Sequence, residues 1–192
     1  MMKLNTFIPQ MGIFILLLTL YGCTNVPDHI IIAPDITNIT AKTNHNKQMQ
    51  LDVIDMRTST HIVQITSKGE AAILVSAQKR LEQTIKSTLS EHWAKQNLTI
   101  RNNAANKIKI SIEKAIISVN QTTLEYDAQT EIILKVIINN NPKTLTMTFK
   151  NRGSSEGPLK ADIAVLERNF NERLSKLLQQ ILTNKKINDF LI

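Results

Sequence analysis

Cys23 is the only thiol in this chain of 192 residues. A thiol can attack a carbonyl, hold a metal or carry an acyl group, and each role needs different neighbours. A nucleophile needs a base beside it, and a metal needs further ligands at set spacings. The four histidines stand at 29, 45, 61 and 92, with no ligand spacing among them. Serines such as Ser76, Ser154 and Ser155 lack the surroundings of a nucleophile elbow. Beyond residue 22 the only glycines are Gly69, Gly153 and Gly157, which form no phosphate-binding loop. Asp55-Met56-Arg57 reads as an exposed ion pair or a turn clamp. His92 lies beside an apolar stripe and reads as a helix-border residue rather than a ligand. The residues therefore predict no catalytic site, no metal and no cofactor. Cys23 is left to be explained by its position.

That position follows the most apolar run of the chain, "MGIFILLLTL" at 11–20, and Lys3 is the only charge before it. A basic start, an apolar core of about ten residues and a small residue at the break describe a secretory signal. A membrane-spanning helix would need about 20 apolar residues. Here Pro9 and Gln10 interrupt on one side, and Asn25 and Asp28 on the other. Leu20-Tyr21-Gly22-Cys23 resembles the lipobox of bacterial lipoproteins, with Tyr21 in place of the usual small or branched residue. The resemblance implies cleavage before Cys23, a diacylglycerol on its sulfur and a fatty acyl chain such as palmitate on its new amino group. Several acyl chains give stable anchoring, where one gives only marginal binding. Thr24 stands where an Asp would favour the inner membrane, so the resemblance implies the periplasmic face of the outer membrane. A lipidated Cys23 leaves the exported chain with no disulfide and no thiolate chemistry.

The formal charge is +7, of which only Lys3 leaves with the signal. Export, scattered basic residues and few aromatics argue against nucleic acid as a partner. Positive charge suits a neighbour of anionic headgroups and lipopolysaccharide phosphates. A plain solvated surface is the simpler reading of the same charge.

The rest of the sequence divides into 1–22 as signal, 23–48 as tether and 49–192 as one domain. Pro27, Pro34 and several Asn punctuate the tether, apart from "HIIIA" at 29–33, which reads as a strand added to a sheet edge. Leu51 and Val53 begin one strand, and Ile62 to Ile65 continue the sheet. Ser76 reads as the N-cap of a helix whose stripe is Ala77, Leu81, Ile85, Leu89 and Trp93. Three alternating runs follow. In the first, Ile108, Ile110 and Ile112 lose phase against Ala115, Ile117 and Val119, which predicts a β-bulge near Lys114. The second carries Leu124 through Ile138 on one face, and the third carries Leu145, Met147 and Phe149. Short connections make these an antiparallel meander that "GSSEGP" at 153–158 ends. Its polar face should carry Thr144, Thr146, Thr148 and Lys150 from one strand, with Glu125, Asp127, Gln129 and Glu131 from its neighbour. A final helix follows, with apolar positions from Ile163 to Leu182. The expected fold is α+β: a two-layer sandwich, with a mostly antiparallel sheet and two long helices on one face.

The lipobox, "DMRTS" at 55–59, the first helix, "TTLEYDAQTEIILKVII" at 122–138, Glu156-Gly157 and "INDFL" at 187–191 resemble the YajG-type family of small bacterial outer-membrane lipoproteins. The first helix departs from that pattern by ending in Asn97-Leu98. The resemblance implies a location and a fold, and no catalytic activity. It points to a non-enzymatic lipoprotein, a scaffold or accessory subunit for an unidentified envelope protein in maintenance or transport. The alternative is a lipid or glycan carrier with a cavity between helices and sheet. A carrier needs an apolar cavity of several hundred Å3, on the order of 300 or more. A scaffold needs an exposed patch or a free strand edge.

Overall fold

The computed structural model describes residues 29–37 and 47–191. In chain order its elements are β1 (His29–Ile30), β2 (Gln48–Asp55), β3 (His61–Ser67), β4 (Ile73–Ala77), α1 (Leu81–Lys95), β5 (Thr99–Ile100), β6 (Lys107–Gln121), β7 (Glu125–Asn140), β8 (Lys143–Pro158), α2 (Ile163–Thr183) and α3 (Lys185–Leu191). The meander β6–β7–β8 forms as its alternation predicts. β7 pairs antiparallel with both neighbours along its whole length. The β6 register shifts between Ile112 and Lys114, where the apolar phase slips.

The expected two-layer sandwich is not what the chain builds. Among the described residues the sheet is mixed and curled, and three helices pack with it, one of them short. β2 and β3 both run parallel to β6, β1 runs parallel to β4, and β5 runs parallel to β2. Parallel neighbours need a crossover of a dozen residues or more. The long segment through β4 and α1 supplies it between β3 and β6. β2 and β3 thus lie end to end along one side of β6, with β7 along the other.

Two boundaries also differ. Ser76 caps no helix, since it lies in β4 and pairs with His29 and His61. α1 starts at Leu81 after Arg80, without a side-chain cap. The sheet does not end at Gly153, because β8 continues to Pro158. Ala77, expected to open the stripe of α1, lies in β4, while the rest of the stripe, Leu81, Ile85, Leu89 and Trp93, is buried as expected. The helix ends in a Schellman motif built on Asn97. Asn97 takes φ 61°, its N–H donates to Ala94, and the N–H of buried Leu98 donates to Trp93. Asn tolerates this left-handed conformation better than most residues, so it does the work of the missing glycine.

α2 begins at Asp162, whose carboxylate accepts from the Ala164 N–H at 2.8 Å. Its buried stripe runs from Ile163 to Leu182. Asn184 then accepts from the Ile187 N–H, so the tail turns into α3 and buries Ile187 and Leu191. The "HIIIA" segment joins the same core through Ile30 and Ile32. Glu167 and Asn171 of α2 accept from the N–H groups of Ile31 and Ala33. Of the stretch read as a tether, this part is packed.

Candidate functional site

The bulge in β6 opens a gap on its β2/β3 side. β2 pairs with β6 as far as Asp55 and Ile112, and β3 resumes at Val63 and Ile117. The carbonyls in that gap still need donors. Arg57 provides them. Its guanidinium donates to the carbonyls of Ala115 at 2.9 Å, His61 at 3.3 Å and Thr60 at 3.4 Å. Asp55 holds the guanidinium in place, with contacts of 2.9 Å at Nε and 2.7 Å at Nη2. The Arg57 side chain is only 7% exposed. "DMRTS" is therefore a clamp that joins two strands, and not a loose surface pair.

Burial pushes the pKa of the Asp55 carboxyl up, but the hydrogen bonds and charge of Arg57 outweigh it and hold the pKa below its ordinary value. A depressed carboxylate contributes stability above its unfolded value and loses it as pH falls through the folded one. Asp55→Asn should therefore be less stable than the parent at neutral pH. The gap in melting temperature should narrow below the ordinary carboxylate range. A gap that stays constant down to strongly acid pH would contradict this role.

Beside the clamp lies a concavity of about 600 Å3 on the side of the sheet away from the core. Lys114, Ile116, Gln129, Glu131 and Arg152 line it. Glu131 sits between two cations, 2.5 Å from Lys114 and 2.5 Å from Arg152. Their hydrogen bonds, Lys114 first, keep its carboxyl below the usual range. Both cations are thus engaged, which leaves no anion site there. A second concavity, of about 580 Å3, follows the same face to the β6–β7 turn, lined by Leu124, Glu125 and Glu156 among others. Both are open and polar in part, unlike the apolar cavity between helices and sheet that a carrier needs.

The eight residues expected on the polar face do share it, but at opposite ends. Glu125, Asp127, Gln129 and Glu131 pair with Pro158, Glu156, Ser154 and Arg152. Thr144, Thr146, Thr148 and Lys150 pair with Asn139, Ile137, Lys135 and Ile133. The face is therefore polarised. Asp127 and Glu156 stand directly opposite each other at one end, and Lys107, Lys109 and Lys135 gather at the other. Leu124, expected on the apolar face, is 76% exposed instead.

Among the described residues β8 pairs only with β7, which leaves its outer edge open there. Arg173 of α2 guards part of that edge. It lies over Gly153, where an added Cβ would meet its guanidinium at 2.0 Å, and it donates to the Arg152 carbonyl at 3.3 Å. The stretch from Lys143 to Lys150 carries no such guard among the contacts of the described residues. Cys23 lies outside the described residues. Among those described, no three His, Cys, Asp or Glu side chains group as metal ligands. No described helix is long and apolar enough to cross a membrane.

The chain resembles a crystal structure of a Xanthomonas campestris protein of the DUF330 family, with a TM-score of 0.59 at 11% identity, over 85% of this chain and 97% of that one. A Helicobacter pylori protein described as a homologue of a neuraminyllactose-binding hemagglutinin aligns with a TM-score of 0.43 at 8% identity, over 80% of this chain and 94% of that one. At 11% identity the first likeness speaks for the fold alone, and nothing is drawn from the second. No curated protein matches the sequence. The model of a family described as uncharacterised lipoproteins, Lipoprotein_16, matches residues 34–192, which takes in every element from β2 to α3, and the chain belongs to that family.

Proposed function

We propose that this protein is a non-enzymatic lipoprotein, anchored through Cys23 to the periplasmic face of the outer membrane, that serves as a scaffold for another envelope protein. The observation that carries this reading is the open β8 edge. An unpaired edge presents a row of backbone donors and acceptors that a partner strand can join. Arg173 occupies the edge at Arg152, so the partner adds along Lys143–Lys150. The threonines there suit strand pairing, and their exposure keeps them available.

The test is site-specific photocrosslinking in intact envelopes. A photoreactive residue at Thr146 should give a discrete partner band. The same residue at Ser154, beside the Arg173 guard, and at Lys86, on the exposed side of α1, should give none. Bands of equal strength at all three sites, or none at Thr146, would reject the edge as the docking surface. Cys23→Ser should abolish incorporation of labelled fatty acid, and label retained in that variant would reject the anchor.

A further inference from the structure

Among the described residues, four of the exposed large apolar side chains, Leu124, Leu159, Leu74 and Ile73, stand at one end of the sheet, while Ile31, Ile54 and Met56 lie away from it. β3 is parallel to β6, with Ser67 opposite Gln121, so the β3–β4 turn and the β6–β7 turn share that end. β8 finishes there too, and the Leu159 N–H donates to the Leu124 carbonyl at 2.7 Å. Leu124 is 76% exposed and Leu159 is 64% exposed. Leu159 also holds φ 62°, a left-handed conformation that glycine or asparagine adopts more cheaply. Neither burial nor backbone preference accounts for a leucine at that position.

The direction of β1 gives these residues a neighbour. β1 is parallel to β4, so the chain enters His29 from the Ile73 end of β4. Six Cα-to-Cα links separate Cys23 from His29, and fully extended they span about 20 Å. His29 lies level with Ser76 and His61, close to Val63 and its partner Ile117. From Ile117 to the Gln121 end of β6 is roughly 13 Å, and to the Lys107 end roughly 33 Å, at ~3.3 Å per residue. An anchor at Cys23 thus reaches the leucine end of the sheet and falls short of the lysine end.

We infer that the Leu124–Leu159 end of the sheet docks on the leaflet that holds the lipid anchor, with both leucines inserted among the headgroups. This rests on the anchoring of Cys23 proposed above. The occupant is a lipid surface, because the short leash holds this end against one and the protruding side chains are apolar. Glu125, Asp127 and Glu156 share this end with Lys160, which follows Leu159, and with Lys68 of the β3–β4 turn, a mixture that suits a zwitterionic rather than an anionic headgroup layer. The positively charged end, with Lys107, Lys109 and Lys143, then points away from the membrane.

The test uses the full lipidated chain in vesicles of equal parts phosphatidylcholine and phosphatidylethanolamine. Leu124→Cys, Leu159→Cys and Lys143→Cys each supply one free thiol for an environment-sensitive fluorophore. All three sites are exposed, so folding is not at stake. Nitroxide-bearing lipid should quench the probes at 124 and 159 several-fold more than the probe at 143. Equal quenching at the three sites, or stronger quenching at 143, would overturn the orientation while leaving the anchor intact. Intact mass of the same samples reads the anchor separately. A Cys23 without its diacylglyceryl adduct would overturn both readings.

Discussion

Leu177→Asp should abolish cooperative folding, while Gln180→Asp should melt within a degree or two of the parent. Leu177 is fully buried in the middle of α2, and Gln180, three residues on, is exposed. Removing a buried leucine side chain costs about 2–5 kcal/mol through lost contacts and cavity alone. The new carboxylate adds several kcal/mol for a charge without a partner in an apolar site. A domain of this size has roughly 5–15 kcal/mol in total, so the sum approaches or exceeds the reserve. Thermal melting followed by circular dichroism separates the two variants. Similar midpoints would mean that the buried face of α2 has been misassigned.

Arg57→Ala should be the next most damaging change, at about 3 kcal/mol, the low end of the range for breaking one half of a buried ion pair, because the Asp55 partner is only part-buried. The loss is larger than for a surface pair because three carbonyls lose a donor as well. Arg57→Lys should recover only part of it. An ammonium keeps the charge opposite Asp55, but it lacks the planar fork that reaches Thr60, His61 and Ala115 together. Denaturant midpoints with unchanged m-values would measure this. A cost below ~1 kcal/mol for Arg57→Ala would reduce the clamp to an ordinary exposed pair.

The parts of the fold legible in the sequence are those whose pattern is local and long. β6 and β7 alternate over many residues, so their faces, their pairing and the phase slip at Lys114 could all be read. The stripe of α2 was equally plain. Placement of β2 and β3 was not, because a parallel pairing across some fifty residues leaves no mark on either strand. β4 was hidden by overlap: Ser76 and Ala77 fit a helix start as well as a strand end. The second half of β8 was hidden by its glycines. Gly153 and Gly157 look like breakers, yet each makes room in a continuing strand, one for Arg173 and the other for the Tyr126 ring. With that half of β8 went the site around Glu131, since its partner Arg152 lies there. Arg57 was visible as a residue, but its role was not, because the carbonyls that it serves come from a strand far away in the chain.

The central place of β6 has a consequence for the order in which the chain folds. Its β7 side closes through a three-residue turn, whereas its β2/β3 side must wait for a loop of about fifty residues to close, at a greater entropic cost. The hairpins of the C-terminal half should therefore form first and offer β6 as a template, with the N-terminal strands annealing last. Pulsed hydrogen exchange during refolding should protect amides of Ile132 and Leu134 before those of Leu51 and Val63. Simultaneous protection would indicate a nucleus that already spans both sides. If the order holds, the N-terminal strands are the last to be secured, and a chain truncated before β6 lacks the strand with which both β2 and β3 pair.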